Sequence, residues 1–70
     1  MEHLVNMRWD DDAHVWYAVC DSIPLALESD SFDALIERVK IAAPEMLELN
    51  GEDTANARLL FRAERRECIA

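Results

Sequence analysis

The stretch His14-Val15-Trp16-Tyr17-Ala18-Val19-Cys20 limits what this chain can fold into more than any other part of it. An extended backbone sends successive side chains to opposite sides. His14, Trp16, Ala18 and Cys20 therefore point one way, and Val15, Tyr17 and Val19 the other. Both faces carry β-branched, aromatic or other apolar groups, which suit a pleated surface. Such a strand needs cover on both sides. In a chain of 70 residues one helix covers one of them, and the cover of the second is a candidate for another protein.

Residues 3 to 9 read as the preceding strand, with Val5, Met7 and Trp9 on one face and His3, Asn6 and Arg8 grouped on the other. Asp10-Asp11-Asp12-Ala13 breaks it, because adjacent carboxylates repel in a ladder yet bond nearby backbone amides in a turn. Without an Asn-Gly or Asp-Gly pair, the expected hairpin loop is about four residues long. Asp21-Ser22-Ile23-Pro24 ends the second strand, since Pro24 lacks an amide donor and pushes Ile23 towards extended backbone. Leu25 to Glu28 is a brief third strand.

From 32 to about 49 the apolar residues Phe32, Leu35, Ile36, Val39, Ala43, Met46 and Leu47 follow one helical stripe. Ser31 is the expected N-cap, Asp33 complements the dipole, and Asn50-Gly51 is the stop signal. Pro44 predicts a bend near Ala42 or Ala43, and the apolar phase continues across it as one helix. Residues 57 to 66 alternate again, Leu59, Phe61 and Ala63 against Arg58, Leu60, Arg62 and Glu64.

The expected fold class is α+β. Residues 1–70 form a single βββαβ domain, a small antiparallel sheet with one long helix packed on one face. Val5, Met7, Trp9, Val15, Tyr17 and Val19 can make one sheet face, with Trp16, Ala18 and Cys20 on the other. On that grouping at least one tryptophan lies away from the main core. Alternation alone does not decide which face meets the helix, because the second strand is apolar both ways.

Fifteen acidic residues against seven basic ones give a net charge of -8. That field repels a phosphate backbone and speeds encounter with a basic protein, so direct nucleic-acid binding is not expected. A domain this small, 51% hydrophobic, is expected to oligomerise. No run of 18 apolar residues and no leader pattern is visible, so a cytoplasmic protein is expected, with no membrane contact.

Little enzymatic chemistry is legible. The single Gly51 excludes glycine-rich phosphate loops. Asp10, Asp11 and Asp12 lack the glycine and the downstream glutamate of a calcium loop, and read as a solvated turn. His3 and His14 stand beside no recognisable nucleophile, Cys20 reads as a buried hydrophobe, and Cys68 as a tail thiol. No enzyme, metal or cofactor is expected. Trp9 and Trp16 are the candidate binding anchors, weighed against plain core packing.

Trp16-Tyr17-Ala18-Val19-Cys20-Asp21-Ser22-Ile23-Pro24, followed by Ser29-Asp30-Ser31-Phe32-Asp33-Ala34-Leu35, resembles the N-terminal domain of HicB-like antitoxins. An aromatic-x-Ala strand there runs into an Asp-x-x-Pro corner, and the helix opens on an acidic-then-Ala-Leu step. Ala43-Pro44-Glu45-Met46-Leu47 with Asn50-Gly51 is similar to a bacterial family of short stand-alone HicB-related domains. The resemblance spans residues 3 to 66. It implies a reduced ribonuclease-H-like fold without catalysis, which caps a small basic RNA-cleaving toxin and often oligomerises. The chain departs from the pattern at Leu25, where many relatives carry glycine after the corner proline. No helix-turn-helix or ribbon-helix-helix follows residue 66, so operator binding is not carried over.

Two functions are thus expected. In the first, an acidic module meets a basic partner through Asp10, Asp11, Asp12 and Asp21 for charge and Trp9 or Trp16 as apolar anchors. In the second, a homo-oligomer associates through Arg58, Leu60 and Arg62, with Arg65 also able to meet carboxylates across a two-fold axis.

Overall fold

The elements run β1 (Glu2–Asp10), β2 (Val15–Cys20), β3 (Leu25–Ser29), α1 (Phe32–Leu49) and β4 (Arg58–Glu64). This computed structural model describes residues 2–52 and 54–69. The four strands form one sheet in the order β3-β2-β1-β4.

The sheet is mixed, which corrects the expectation of an antiparallel one. β1–β2 and β2–β3 pair antiparallel, but β1–β4 is parallel. The cause is the connection. Two short turns reverse the chain twice, so β3 runs along β1. The α1 crossover then returns the chain to the starting end, which makes β4 parallel too.

Helix α1 starts where its cap dictates. Ser31 has extended backbone and its hydroxyl accepts from the amide of Ala34 at 3.2 Å. The helix continues unbroken through Pro44. At its end the Asn50 amide donates to the carbonyl of Met46 and the Gly51 amide to that of Glu48, and Gly51 takes φ 74°, the left-handed conformation that glycine adopts without penalty. Leu35, Val39, Ala43 and Leu47 are buried, with Phe32, Ile36 and Met46 flanking them. The apolar stripe read from the spacing is thus the buried one.

Register assigns the sheet faces. Val5 lies opposite Cys20, Met7 opposite Ala18 and Trp9 opposite Trp16. The grouping expected from alternation is therefore corrected: Trp16, Ala18 and Cys20 share a face with Val5, Met7 and Trp9, under the helix. His3 also lies on that buried side, only 2% exposed. Val15, Tyr17 and Val19 belong to the opposite, open face. The reason is parity: four residues, 11–14, join strands that end at Asp10 and begin at Val15, so odd positions on β1 meet even ones on β2.

The open face carries Leu4, Asn6 and Arg8 of β1, Val15, Tyr17 and Val19 of β2, Ala26 and Glu28 of β3, and Arg58, Leu60 and Arg62 of β4. The accessible surface is 5098 Å² for an 8.0 kDa chain, against about 4,450 Å² for a compact monomer of that mass. One helix on one face, with an exposed tail after β4, leaves that surplus.

Candidate functional site

At the hairpin end of the sheet, register brings the two tryptophans together. Trp9 and Trp16 are cross-strand partners, with ring centroids 5.6 Å apart and planes inclined at 62°. Trp16 in turn meets Phe32, the first residue of α1, edge-on at 4.8 Å. His14 stands 6.2 Å from Trp9, at φ 56° in the left-handed region. Such edge-to-face contacts add about 0.5–1.5 kcal/mol each beyond buried area. The aromatic row thus passes from Phe32, which packs against the core, to a half-buried rim at Trp9. Both tryptophans are on the helix face, at its end: Trp16 packs against the core, and Trp9, beyond it, is the tryptophan that lies away from the main core.

The acidic turn is built onto this rim. Asp10 Oδ1 accepts from the backbone amides of Asp12 and Ala13 at 3.1 and 3.2 Å, the local bonding that aspartate offers a turn. Trp9 Nε1 donates to Asp11 Oδ1 at 3.2 Å, so a carboxylate is held at the edge of the indole. Asp11 and Asp12 are exposed. From the other side comes Arg65, one residue past the end of β4. Its guanidinium lies 4.0 Å from the Trp9 ring centroid and 5.9 Å from that of Trp16. Trp9, Asp11, Tyr17 and Arg65 line an open hollow of about 510 Å³ there.

Not every expected residue joins this corner. Asp21 stands just past the far end of β2, six residues away from the turn, or about 20 Å at the rise of a strand. Arg58, Leu60 and Arg62 lie on β4, on the open face, with Leu60 42% exposed. Glu2 is opposite Arg58, and Arg8 is opposite Glu64. Opposite charges thus face one another across the β1–β4 ladder.

Sequence reading misses two arrangements. It places Arg65 in self-association, whereas the side chain stacks on Trp9; nothing in the spacing of the chain signals that return. His3 and Ser22, 19 residues apart, meet with Nδ1 and Oγ at 2.6 Å, and Cys20 Sγ lies 3.5 Å from the same hydroxyl. A histidine beside a serine is the beginning of a nucleophile–base pair. Here the imidazole is almost wholly buried, and the bond satisfies a core histidine. Among the described residues no group of three His, Cys, Asp or Glu side chains is placed to hold a metal ion. No helix among them is long and apolar enough to cross a membrane.

Comparison with known proteins agrees with the βββαβ fold. The chain is similar to a solved structure, the hypothetical protein TTHA1013 from the extremely thermophilic bacterium Thermus thermophilus. The two are 30% identical, with a TM-score of 0.74, over 100% of this chain and 99% of that one. No curated protein matches. A family profile matches residues 2–69, all five elements included, and by that match the chain belongs to the family described as Domain of unknown function (DUF1902).

Proposed function

We propose that this protein is a non-catalytic binding module of the HicB-like antitoxin type, which neutralises a small basic RNA-cleaving toxin in the cytoplasm. The observation that carries the reading is the Trp9–Trp16 rim with Asp10, Asp11 and Asp12 built onto it. Half-buried tryptophan is the residue type on which protein interfaces concentrate their energy. Carboxylates around it select a cationic partner and raise the association rate. The net charge of -8 acts in the same direction over longer range. The βββαβ order and the aromatic-x-Ala strand running into Asp21 and Pro24 supply the likeness to antitoxins.

Co-expression with the protein encoded beside this chain tests the reading. A small basic neighbour whose RNA cleavage stops on stoichiometric addition of this chain supports it. A neighbour that is not basic, or is basic and does not bind, overturns it.

One observation favours a second reading, a stand-alone homo-oligomer without a toxin. The open sheet face mixes exposed apolar groups, Val19 at 39% and Leu60 at 42%, with Arg58 and Arg62 on the β4 side and Glu28 on the β3 side. A two-fold axis can set the basic half of one copy on the acidic half of another. Sedimentation of the purified chain, with Leu60→Lys as the disrupting variant, decides whether that face self-associates.

A further inference from the structure

Three side chains of the β1–β2 hairpin and one from beyond β4 meet at one spot on the rim. Trp9 offers a ring face, over which Arg65 lies, Trp16 is a second ring further off, and Asp11 is a carboxylate bonded at the indole edge. A ring face is negative and a carboxylate more so, so the Trp9 face with Asp11 at its edge attracts a cation. The flat guanidinium suits it better than an ammonium, because it stacks as well as pairs. Arg65 is fixed lightly. It lies beyond the last ladder pair, its side chain is 40% exposed, and its Nε donates to Glu67 Oε1 at 2.5 Å, another tail residue. Residues 66–69 are all exposed, Ile69 at 98%.

We propose that the Trp9–Trp16 corner is an arginine-recognition site, filled in cis by Arg65 and in trans by an arginine side chain of a basic protein partner. This rests on the binding reading above and names the chemistry of its contact. The tail is then a built-in competitor. A partner's arginine displaces Arg65, takes the Trp9 ring and gains Asp11, and the released residues 65–69 move off the hollow. The occupant follows from the site itself, since a guanidinium already stacks there: with Arg65 displaced, Asp11 and Glu64 balance Arg8 and Arg66 around the hollow, and the net charge of -8 draws a basic partner to it.

An arginine–glycine repeat peptide is the probe, titrated at physiological ionic strength into the full chain. Both tryptophans of the chain stand in the corner, so intrinsic fluorescence reports on it directly. Amide NMR shifts locate the contact. Arg65→Ala removes the competitor and should tighten binding by about two- to fivefold, the size of one exposed cation–π contact. Trp9→Leu should abolish the response. Asp11→Asn, which keeps the indole and the fold, should weaken it, and a lysine–glycine repeat should bind less tightly than the arginine one. Equal affinity for the wild type and Arg65→Ala, or shifts confined to the open face around Arg58 and Glu28, would overturn the proposal. The two readings fail separately. Peptide binding in the corner with no basic partner in the host sinks the antitoxin reading alone. A basic partner bound equally by the wild type, Arg65→Ala and Trp9→Leu sinks the arginine site alone.

Discussion

His3 Nδ1 and Ser22 Oγ meet at 2.6 Å, tying the start of β1 to the corner between β2 and β3. His3 is 2% exposed but Ser22 lies at the surface, so water can partly replace a lost hydroxyl. Ser22→Ala should therefore cost about 0.5–1.5 kcal/mol, the net worth of one hydrogen bond. Adding His3→Leu should restore much of that loss, since removing both partners removes the unmet demand. Urea denaturation of the two single variants and the double one measures the coupling, provided the m-value stays constant.

The helix offers a contrast between two residues. Leu35 is fully buried, and Ile41, further along the same helix, is 67% exposed. Leu35→Ala should cost about 2–5 kcal/mol as transfer and cavity terms add. That is much of the roughly 4–10 kcal/mol expected for a domain this size, so the variant should be largely unfolded at mild urea concentrations. Ile41→Ala should stay within about 0.5 kcal/mol of the parent in the same titration.

The two helix ends should respond differently. Ser31→Ala loses the bond to the Ala34 amide and should cost about 1 kcal/mol. At Gly51 an added Cβ would meet nothing within 4 Å, so any cost comes from φ 74° alone. Gly51→Ala should then lose about 1–2 kcal/mol, and Gly51→Asn distinctly less, because asparagine tolerates that conformation. Thermal melts of the three variants rank them.

Position along β2 separates the carboxylates. Neutralising Asp11 and Asp12 as asparagines should slow association with a basic partner roughly severalfold and flatten its dependence on salt. Asp21→Asn, at the other end of β2, should change neither by much. Stopped-flow tryptophan fluorescence over a salt series distinguishes them.

Much of this was legible in the residues. The N-cap at Ser31, the stop at Asn50-Gly51, the stripe through Leu35 and Val39, and the aspartate turn each follow from local chemistry, and each is where the sequence places it. The faces of β2 were not legible from hydrophobicity, since Trp16 and Val15 serve either side equally well. Loop parity holds the answer: an even connection after Asp10 sets Trp9 against Trp16. The direction of β4 depends on where a helical crossover returns the chain, which no residue in β4 states. Arg65 on Trp9 and His3 on Ser22 are tertiary meetings without a local signature. Charge alone groups Asp21 with the turn aspartates, and the length of β2 separates them.

The pairing of β1 with β4 joins Glu2 to Arg58, neighbours in space that lie near opposite ends of the chain. During synthesis β1, β2, β3 and the helix are all made before the strand that closes the sheet. For that interval one edge of β1 presents unmatched amides and carbonyls, which any extended strand can take. Formation of β4 thus decides whether that edge of β1 is matched within the chain or stays open to a foreign strand.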